Sequence, residues 1–308
     1  MIRPLWHLAL GYCALVWGAT FYIVKEAVTV VDPVAMVAYR FLLAALLLLP
    51  VVLLPFARAS LRDSRTLRCG AILGAFLGTS YLTQTVGLKY TSAANSGFIT
   101  GLFVIFVPLF LLIFLRRPLS ATQWVACGVA VLGLWLLTGG GLAFNLGDGL
   151  TVLTAMAYAG QVLAADRFAR TDANPLVLAF HQFWIIGVGS LALSLLLARP
   201  LDVRTEGALW AILLLTLLPT LSAFVIQLFA QRHVPAMTAT MIFLLEPVFA
   251  ALFAWTAGGE RFSAIPAAGG ALIVVAMAWT EWTKPREPEP LTDETPTAEA
   301  APTRVTDP

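Results

Sequence analysis

The sequence predicts an all-α integral membrane protein in which ten transmembrane helices form two inverted five-helix repeats. Composition is the first reason: 59% of the residues are hydrophobic and only 12% are charged, which is about half the charged share of a soluble domain. Repetition is the second reason, because residues 1–138 and 148–283 each contain five apolar stretches in the same order. A water-soluble core cannot bury ten such stretches, so lipid must cover them.

The apolar stretches have the length that a membrane crossing requires. A hydrocarbon core of about 30 Å needs about 20 helical residues, and the fifth and sixth stretches are the shortest. We expect all of them to be helical, because lipid offers no partner for an open backbone and they are too long for barrel strands. The predicted spans are residues 6–25, 34–56, 69–88, 93–115, 122–138, 149–166, 176–198, 208–230, 236–257 and 264–282.

The two copies share landmarks at a nearly fixed offset. A shift of 142 or 143 residues superimposes the pairs Gly18 and Gly160, Lys25 and Arg167, Asp32 and Asn174, Pro33 and Pro175, Arg40 and Gln182, Gln84 and Gln227, Lys89 and Arg232, and Ser120 and Ser263. Five crossings per copy place the second copy upside down in the bilayer, an architecture typical of secondary transporters. Pro108 and Pro247 are only 139 residues apart, which predicts about one extra helical turn before the first-half proline.

The distribution of Lys and Arg predicts that both termini are cytoplasmic. With the N-terminus inside, the inner segments hold twelve of these residues and the outer segments hold five. Met1–Trp6 leads directly into the first span, so we expect no cleavable signal peptide. Residues 284–308 consist mainly of Pro, Glu, Thr, Ala and Asp, which predicts a disordered cytoplasmic tail.

Several short motifs carry a family resemblance. The first span contains Trp17-Gly18-Ala19-Thr20-Phe21, and Lys25, Pro33 and Arg40 follow it. The ninth and tenth spans contain Leu245-Glu246-Pro247, Gly259-Glu260 and Gly269-Gly270, with Pro108, Arg117, Ser120 and Gly128 as first-half counterparts. Together with the duplication, these motifs resemble the drug/metabolite transporter superfamily, and within it the bacterial EamA-type exporters, over residues 6–283.

This resemblance implies a fold and a function. The fold would be two intertwined EamA-type repeats, residues 1–138 and 148–283, around a cavity lined by helices one to four and six to nine. Helices five and ten would be peripheral. The function would be export of small metabolites, such as amino acids or drug-like compounds, across a bacterial inner membrane by alternating access.

Arg40 and Glu246 are the charged residues that stand out inside predicted spans. An intramembrane arginine usually faces protein or water, so Arg40 is either a contact for a substrate carboxylate or a structural residue that bonds neighbouring carbonyls. Glu246 precedes Pro247, and a proline leaves backbone groups unpaired. Glu246 is therefore a candidate for proton coupling, or a carboxyl group that bonds this freed backbone.

Polar and aromatic residues at helical spacing complete the predicted substrate site. Such residues either line a wet cavity or hold helices together, and their recurrence in both halves favours a cavity. His181 is either a proton shuttle or a packed residue of its span. The predicted substrate-binding residues are Trp17, Phe21, Arg40, Tyr81, Gln84, Asn95, Ser96, Tyr158, His181, Gln182, Trp184 and Gln227.

The sequence favours a transporter over two other classes. An intramembrane enzyme would need converging acids, a nucleophile with its base, or a metal cluster, and a channel would need a ring of like charges or carbonyls. No nucleotide-binding loop occurs, and we expect no cofactor, metal, ATP or nucleic acid, and a monomer or weak dimer in the bilayer. Neutral or aromatic amino acids are the first substrate candidates; efflux of multidrug cations and passive facilitation of small solutes are the alternatives.

Overall fold

The computed structural model describes residues 3–137, 145–256 and 262–283, and all regular secondary structure within these ranges is helical. The predicted tail at 284–308 lies outside the described residues. Every predicted span coincides with a helix or with an interrupted helix. The helices are α1 (Arg3–Ala27), α2 (Pro33–Val52), α3 (Pro55–Leu61), α4 (Ser64–Gly87), α5 (Ala93–Gly101), α6 (Phe103–Leu115), α7 (Ala121–Leu137), α8 (Leu146–Ala169), α9 (Pro175–Leu196), α10 (Glu206–Leu215), a π-helical segment (Thr216–Ser222), α11 (Ala223–Gln231), α12 (Ala236–Phe243), α13 (Glu246–Thr256) and α14 (Ala264–Trp282).

Length and hydropathy confirm a multi-pass membrane protein. Within the described part of the chain, six helical stretches are long and apolar enough to cross a membrane, and two shorter apolar helices accompany them. The long helices α4 and α8 are less apolar and occupy the third and sixth predicted spans. The six stretches are Pro4–Ala27, Pro33–Val52, Asn95–Leu115, Pro175–Leu196, Glu206–Gln231 and Ala236–Phe253, and the shorter helices are Ala121–Leu137 and Ala264–Thr280.

Capping residues place some helix ends away from the predicted ones. The third span was expected to begin at residue 69, but α4 begins at Ser64 because the Asp63 carboxylate accepts hydrogen bonds from the backbone of Arg65 and Thr66. These bonds, with one from the Thr66 hydroxyl, hold the pKa of Asp63 below its ordinary value. Likewise α8 begins at Leu146 behind a capping box. The second span ends early, at Val52, and α3 follows it.

The fourth and ninth spans are interrupted at equivalent positions. The break after α5 falls at Leu102, and the break after α12 includes Leu245. These leucines are 143 residues apart, which is the offset of the repeat. As expected, four additional residues precede Pro108, and they lie between the break and the proline: Pro108 follows Leu102 by six residues, whereas Pro247 follows Leu245 by two.

The eighth span contains a π-helical segment at Pro219. Proline has no backbone N–H, so the carbonyl of Leu215 cannot receive the usual bond from residue 219. The Thr220 hydroxyl donates to that carbonyl instead, at 2.7 Å. The backbone N–H of Ala223 then donates five residues back, to Leu218. The helix accommodates one extra residue here, an arrangement often found at functional sites.

The two copies are interlaced. The first helix of each copy packs against the interrupted fourth span of the other: α1 against α12 and α13, and α8 against α5 and α6. In the middle, α2 packs along α9, and α4 along α8 and α9. At the periphery α7 packs on α14, where a Cβ added to Gly133 would lie 2.7 Å from the carbonyl oxygen of Gly269. Neither copy forms a complete core alone.

At each end of the bundle, a basic side chain donates hydrogen bonds to the backbone carbonyls of a connection between helices. At one end, Lys25 donates to the carbonyl oxygens of Leu88 and Thr91. At the other end, the Arg232 guanidinium donates to the carbonyl oxygens of Ala169, Thr171 and Ala173 at 2.6, 3.4 and 2.6 Å. We refer to these as the Lys25 end and the Arg232 end.

Candidate functional site

A narrow cavity lies between the two copies. Its space measures about 50 Å³, which is room for a few water molecules. Six of the predicted site residues line it: Trp17, Arg40, Tyr81, Gln84, Tyr158 and Glu246. The other lining residues are Thr20, Val24, Ser80, Thr85, Thr100, Pro219 and Phe224.

The cavity lies nearer to the Lys25 end. Val24 immediately precedes Lys25, and Gln84 and Thr85 lie in the last turn of α4. Towards the Arg232 end, three fully buried glutamines close the space between α8 and α11. Gln227 Nε2 donates to the side-chain oxygens of Gln161 and Gln231 at 3.0 and 2.8 Å, and Gln231 Nε2 donates to the carbonyl of Val162.

Arg40 is held by the π-helical segment and by an aromatic ring. Its side chain is 2% exposed. Nε and Nη2 donate to the Thr220 hydroxyl oxygen at 3.3 and 2.9 Å, and the guanidinium carbon lies 5.0 Å from the centre of the Tyr81 ring. A buried cation normally requires a counter-charge, and within the described ranges no carboxylate pairs with Arg40.

Glu246 is the acidic residue of the cavity and begins α13, directly after the break in the ninth span. Gly18 allows α1 to approach this point closely: a Cβ there would lie 2.4 Å from the Glu246 carbonyl oxygen and 2.9 Å from the backbone nitrogen of Ala250. No ion pair joins Glu246 to Arg40 or to any other described base. The cavity therefore holds one basic and one acidic side chain, one from each copy, that are not paired with each other.

Aromatic rings form one wall of the cavity. Trp17 is fixed by its indole N–H, which donates to the Pro219 carbonyl at 2.9 Å. Its ring stands at 87° to that of Tyr158 with the centroids 6.0 Å apart, and lies 5.2 Å from Phe224. Tyr81 completes the row, 5.8 Å from Phe224. The wall is therefore apolar in its centre and hydroxylated at Tyr81 and Tyr158.

The structure places other predicted site residues outside the cavity. Gln227 belongs to the buried glutamine cluster. His181 packs against Gly70 of α4, and its Nδ1 accepts from Trp184 Nε1 at 3.0 Å. Gln182 is fully buried beside Gly74 and neither polar atom of its amide has a partner.

At the start of the fourth span, Asn95 and Ser96 belong to the first turn of α5, behind the N-cap Ser92. Neither is part of the cavity lining. The side chain of Phe21 lies outside the described residues.

The sequence reasoning did not select Thr20, Pro219 and Phe224 as site residues. Thr20 follows Trp17 by three residues and so shares its helix face, a signal that was available. Pro219 reaches the site through its carbonyl and its effect on helix geometry, which no side-chain pattern reveals. No group of three or more His, Cys, Asp or Glu residues that could hold a metal ion occurs in the described ranges.

An interlaced, duplicated helical membrane fold around a shared polar cavity defines the class of membrane transporters. Sequence comparison identifies the group within that class: residues 4–139 and 145–281 each match the EamA-like transporter family, and the chain belongs to this family. As expected from its motifs, it is a membrane transporter of the drug/metabolite type.

Relatives agree with this assignment, and a solved structure has the same fold. An uncharacterized transporter of Archaeoglobus fulgidus is 29% identical over 88% of this chain and 83% of its own length. The uncharacterized inner membrane transporter YedA of Escherichia coli K12 is 26% identical over 85% and 86%. A chain of known crystal structure superimposes with a TM-score of 0.75 at 20% identity, covering 91% of this chain and 97% of its own. These relatives support a multi-pass protein of the inner membrane.

Proposed function

We propose that this protein is a secondary transporter that exports small metabolites across the inner membrane by alternating access, with neutral or aromatic amino acids as first candidates. The observation that carries the proposal is the cavity between the two copies, with an arginine, a glutamate and an aromatic wall. In this proposal the chain crosses the membrane ten times in two inverted repeats, with α4 and α8 as its least apolar crossings. Both termini are then cytoplasmic.

The shape of the cavity supports alternating access. A transporter must open its site to one side at a time, so one end has to be closed whenever the other is open. The cavity lies nearer to the Lys25 end, and the glutamine cluster and the Arg232 contacts close the opposite end. At about 50 Å³ the space is too small for an amino acid, so binding and release require the helices around it to move apart.

Proton exchange at Glu246 is the proposed energy source. This glutamate lies in the cavity without a basic partner among the described residues, where its charge can change as the site opens. In proteoliposomes, Glu246→Gln should abolish the response of transport to an imposed pH gradient. Transport that keeps its full response in this variant would exclude Glu246 as the coupling residue.

Transport by purified protein tests the proposed function directly. Proteoliposomes would be loaded with labelled amino acids, purines or quaternary amines, and efflux compared with protein-free liposomes. We expect efflux of aromatic or other neutral amino acids. Efflux of quaternary amines alone would favour multidrug export, efflux indifferent to any gradient would favour a facilitator, and no movement of any solute would contradict the proposed function.

A further inference from the structure

Arg40 has more hydrogen-bond donors than its contacts use. A guanidinium carries five N–H donors; the Thr220 hydroxyl accepts from Nε and Nη2, and the Tyr81 side chain lies against the guanidinium. A carboxylate takes two parallel donors from an arginine. Thr220 is itself fixed by its bond to the Leu215 carbonyl, so the remaining donors of Arg40 have a defined orientation in the cavity wall.

Other residues that line the cavity have complementary features. The Glu246 carboxyl group lies there with the Trp17 and Tyr158 rings. The Tyr158 hydroxyl has no hydrogen-bond partner although the residue is only 6% exposed, and a buried hydroxyl without a partner costs stability. Aromatic faces attract cations, so a carboxylate, an unpaired hydroxyl and two rings suit an ammonium group.

We infer that the cavity recognises zwitterions, with the carboxylate of the ligand on Arg40 and its ammonium group on Glu246 and Tyr158. This inference rests on the proposed function and specifies its substrate chemistry: both charges of a free α-amino acid are required. A ligand with one charge would leave the other protein charge buried and unpaired, which binding sites penalise strongly. The aromatic wall of the cavity would then contact the side chain of the ligand.

A series of phenylalanine analogues tests this inference on the wild-type protein. Binding to full-length protein in nanodiscs, without any ion gradient, would be measured for L-phenylalanine, for phenethylamine, which lacks the carboxylate, and for 3-phenylpropionate, which lacks the ammonium group. We expect each analogue to bind at least about tenfold more weakly than L-phenylalanine. Equal affinity for either analogue overturns the inference, and so does the absence of binding by all common L-amino acids.

Two charge-removing variants assign the charges. Arg40→Gln should weaken the binding of L-phenylalanine and 3-phenylpropionate and leave the binding of phenethylamine unchanged. Glu246→Gln should weaken the binding of L-phenylalanine and phenethylamine and leave the binding of 3-phenylpropionate unchanged. Matched controls are Arg170→Gln and Glu206→Gln, because Arg170 pairs with Asp166 and exposed Glu206 accepts from Trp210 outside the cavity. If either cavity variant weakens all three ligands equally, the assignment of one charge to each residue is wrong.

The outcome separates this inference from the proposed function. Efflux of a purine or a quaternary amine, combined with no binding of amino acids, would overturn zwitterion recognition and leave the transporter intact. Zwitterion-selective binding with no solute movement in proteoliposomes would support zwitterion recognition and contradict the proposed transport function.

Discussion

Thr220 connects the backbone of the π-helical segment to the charge of the cavity. Its hydroxyl donates to the Leu215 carbonyl, which cannot receive the usual bond from Pro219, and it accepts from Arg40. The equivalent position in the first copy is Leu77, which has no hydrogen-bonding side chain. Gln182 is the counterpart of Arg40, and its amide has no hydrogen-bond partner. The first copy therefore lacks the contact that Arg40 makes with Thr220.

Replacing Thr220 should therefore have two effects. Thr220→Val removes the hydroxyl that accepts from Arg40 and donates to the Leu215 carbonyl, and the loss of a hydrogen-bond partner in a buried site costs about 1–3 kcal/mol. We expect a lower melting temperature in detergent and a KM for exported amino acid that rises more than kcat falls.

The matched control is Thr216→Val in the same segment. The Thr216 hydroxyl is equally buried but bonds only to the Ile212 carbonyl of its own helix, so we expect a cost below about 1 kcal/mol. Equal effects from the two valine variants would show that the Arg40 contact contributes nothing.

Among single residues, the sequence predicted the ones whose chemistry is unusual for a membrane. Arg40, Glu246 and Trp17 were identified because charge and motif stand out in an apolar chain. Gln227 and His181 were equally polar, but the structure packs them between helices, because whether a polar residue faces the cavity depends on helix rotation. One sequence without a partner helix does not define that rotation.

At the level of helices, the contact between α1 and α13 depends on Gly18. A Cβ at this position would meet backbone atoms of Glu246 and Ala250, which cannot rotate away as a side chain could. Gly18→Ala should therefore separate the helices, lower stability by about 1–3 kcal/mol and strongly reduce transport.

Gly11 provides the control on the same helix. An added Cβ there meets nothing within 4 Å, and alanine has a higher helix propensity than glycine by about 1 kcal/mol. Gly11→Ala should leave transport unchanged and melting temperature equal or higher. A Gly18→Ala protein with normal stability and transport would contradict the close approach of α1 to α13.

The Arg232 contacts can be probed with a native cysteine. Arg232 binds the loop at residues 169–173, and Thr171 and Ala173 line a surface pocket together with Cys69. Arg232→Gln should release this loop, so that a membrane-permeable maleimide labels Cys69 several times faster. Cys13 and Cys127 are buried and should remain slow.

Arg170→Gln is the control for loss of a nearby positive charge. Arg170 lies within this loop but bonds to Asp166, four residues earlier at the end of α8. Its replacement should leave Cys69 labelling at the wild-type rate. Equal acceleration in the two variants would mean that surface charge, and not the carbonyl contacts, protects the pocket.

The sequence predicted helices better than their interruptions. Apolar length located each crossing, because lipid leaves a spanning segment no alternative to helix. Prolines located the breaks only in part: Pro247 follows the break at Leu245 by two residues, but Pro108 lies within the continuous helix α6, and Pro219 widens its helix into a π segment. The break at Leu102 has no proline beside it and follows Gly101.

For the molecule as a whole, opposite threading of the two copies can be tested by labelling. In a protein without its native cysteines, Ser60→Cys and Pro200→Cys should react with an impermeant maleimide from opposite faces of the membrane, position 60 from the cytoplasm. Ser60 lies in α3, before α4, and Pro200 lies in the connection after α9. Labelling of both from one face would overturn the inverted arrangement and the placement of both termini inside.

Whole-chain architecture was largely predictable because the duplication is visible as a fixed offset. The offset of Gly18 and Gly160, or of Gln84 and Gln227, needs no knowledge of packing. The asymmetry between copies was less visible. It arises from the π segment and from the glutamine cluster, which depend on contacts between helices that are distant in the sequence.

The interlacing of the copies also governs how the protein is made. At a synthesis rate of about 5–20 residues per second, α13 leaves the ribosome roughly ten seconds or more after α1. In the folded protein, the face of α1 that contains Gly18 packs against α13. During that interval the first copy must wait in the bilayer with this face covered by lipid or an insertion factor. Folding therefore cannot finish copy by copy, and the cavity is completed only when α12 and α13 have been inserted.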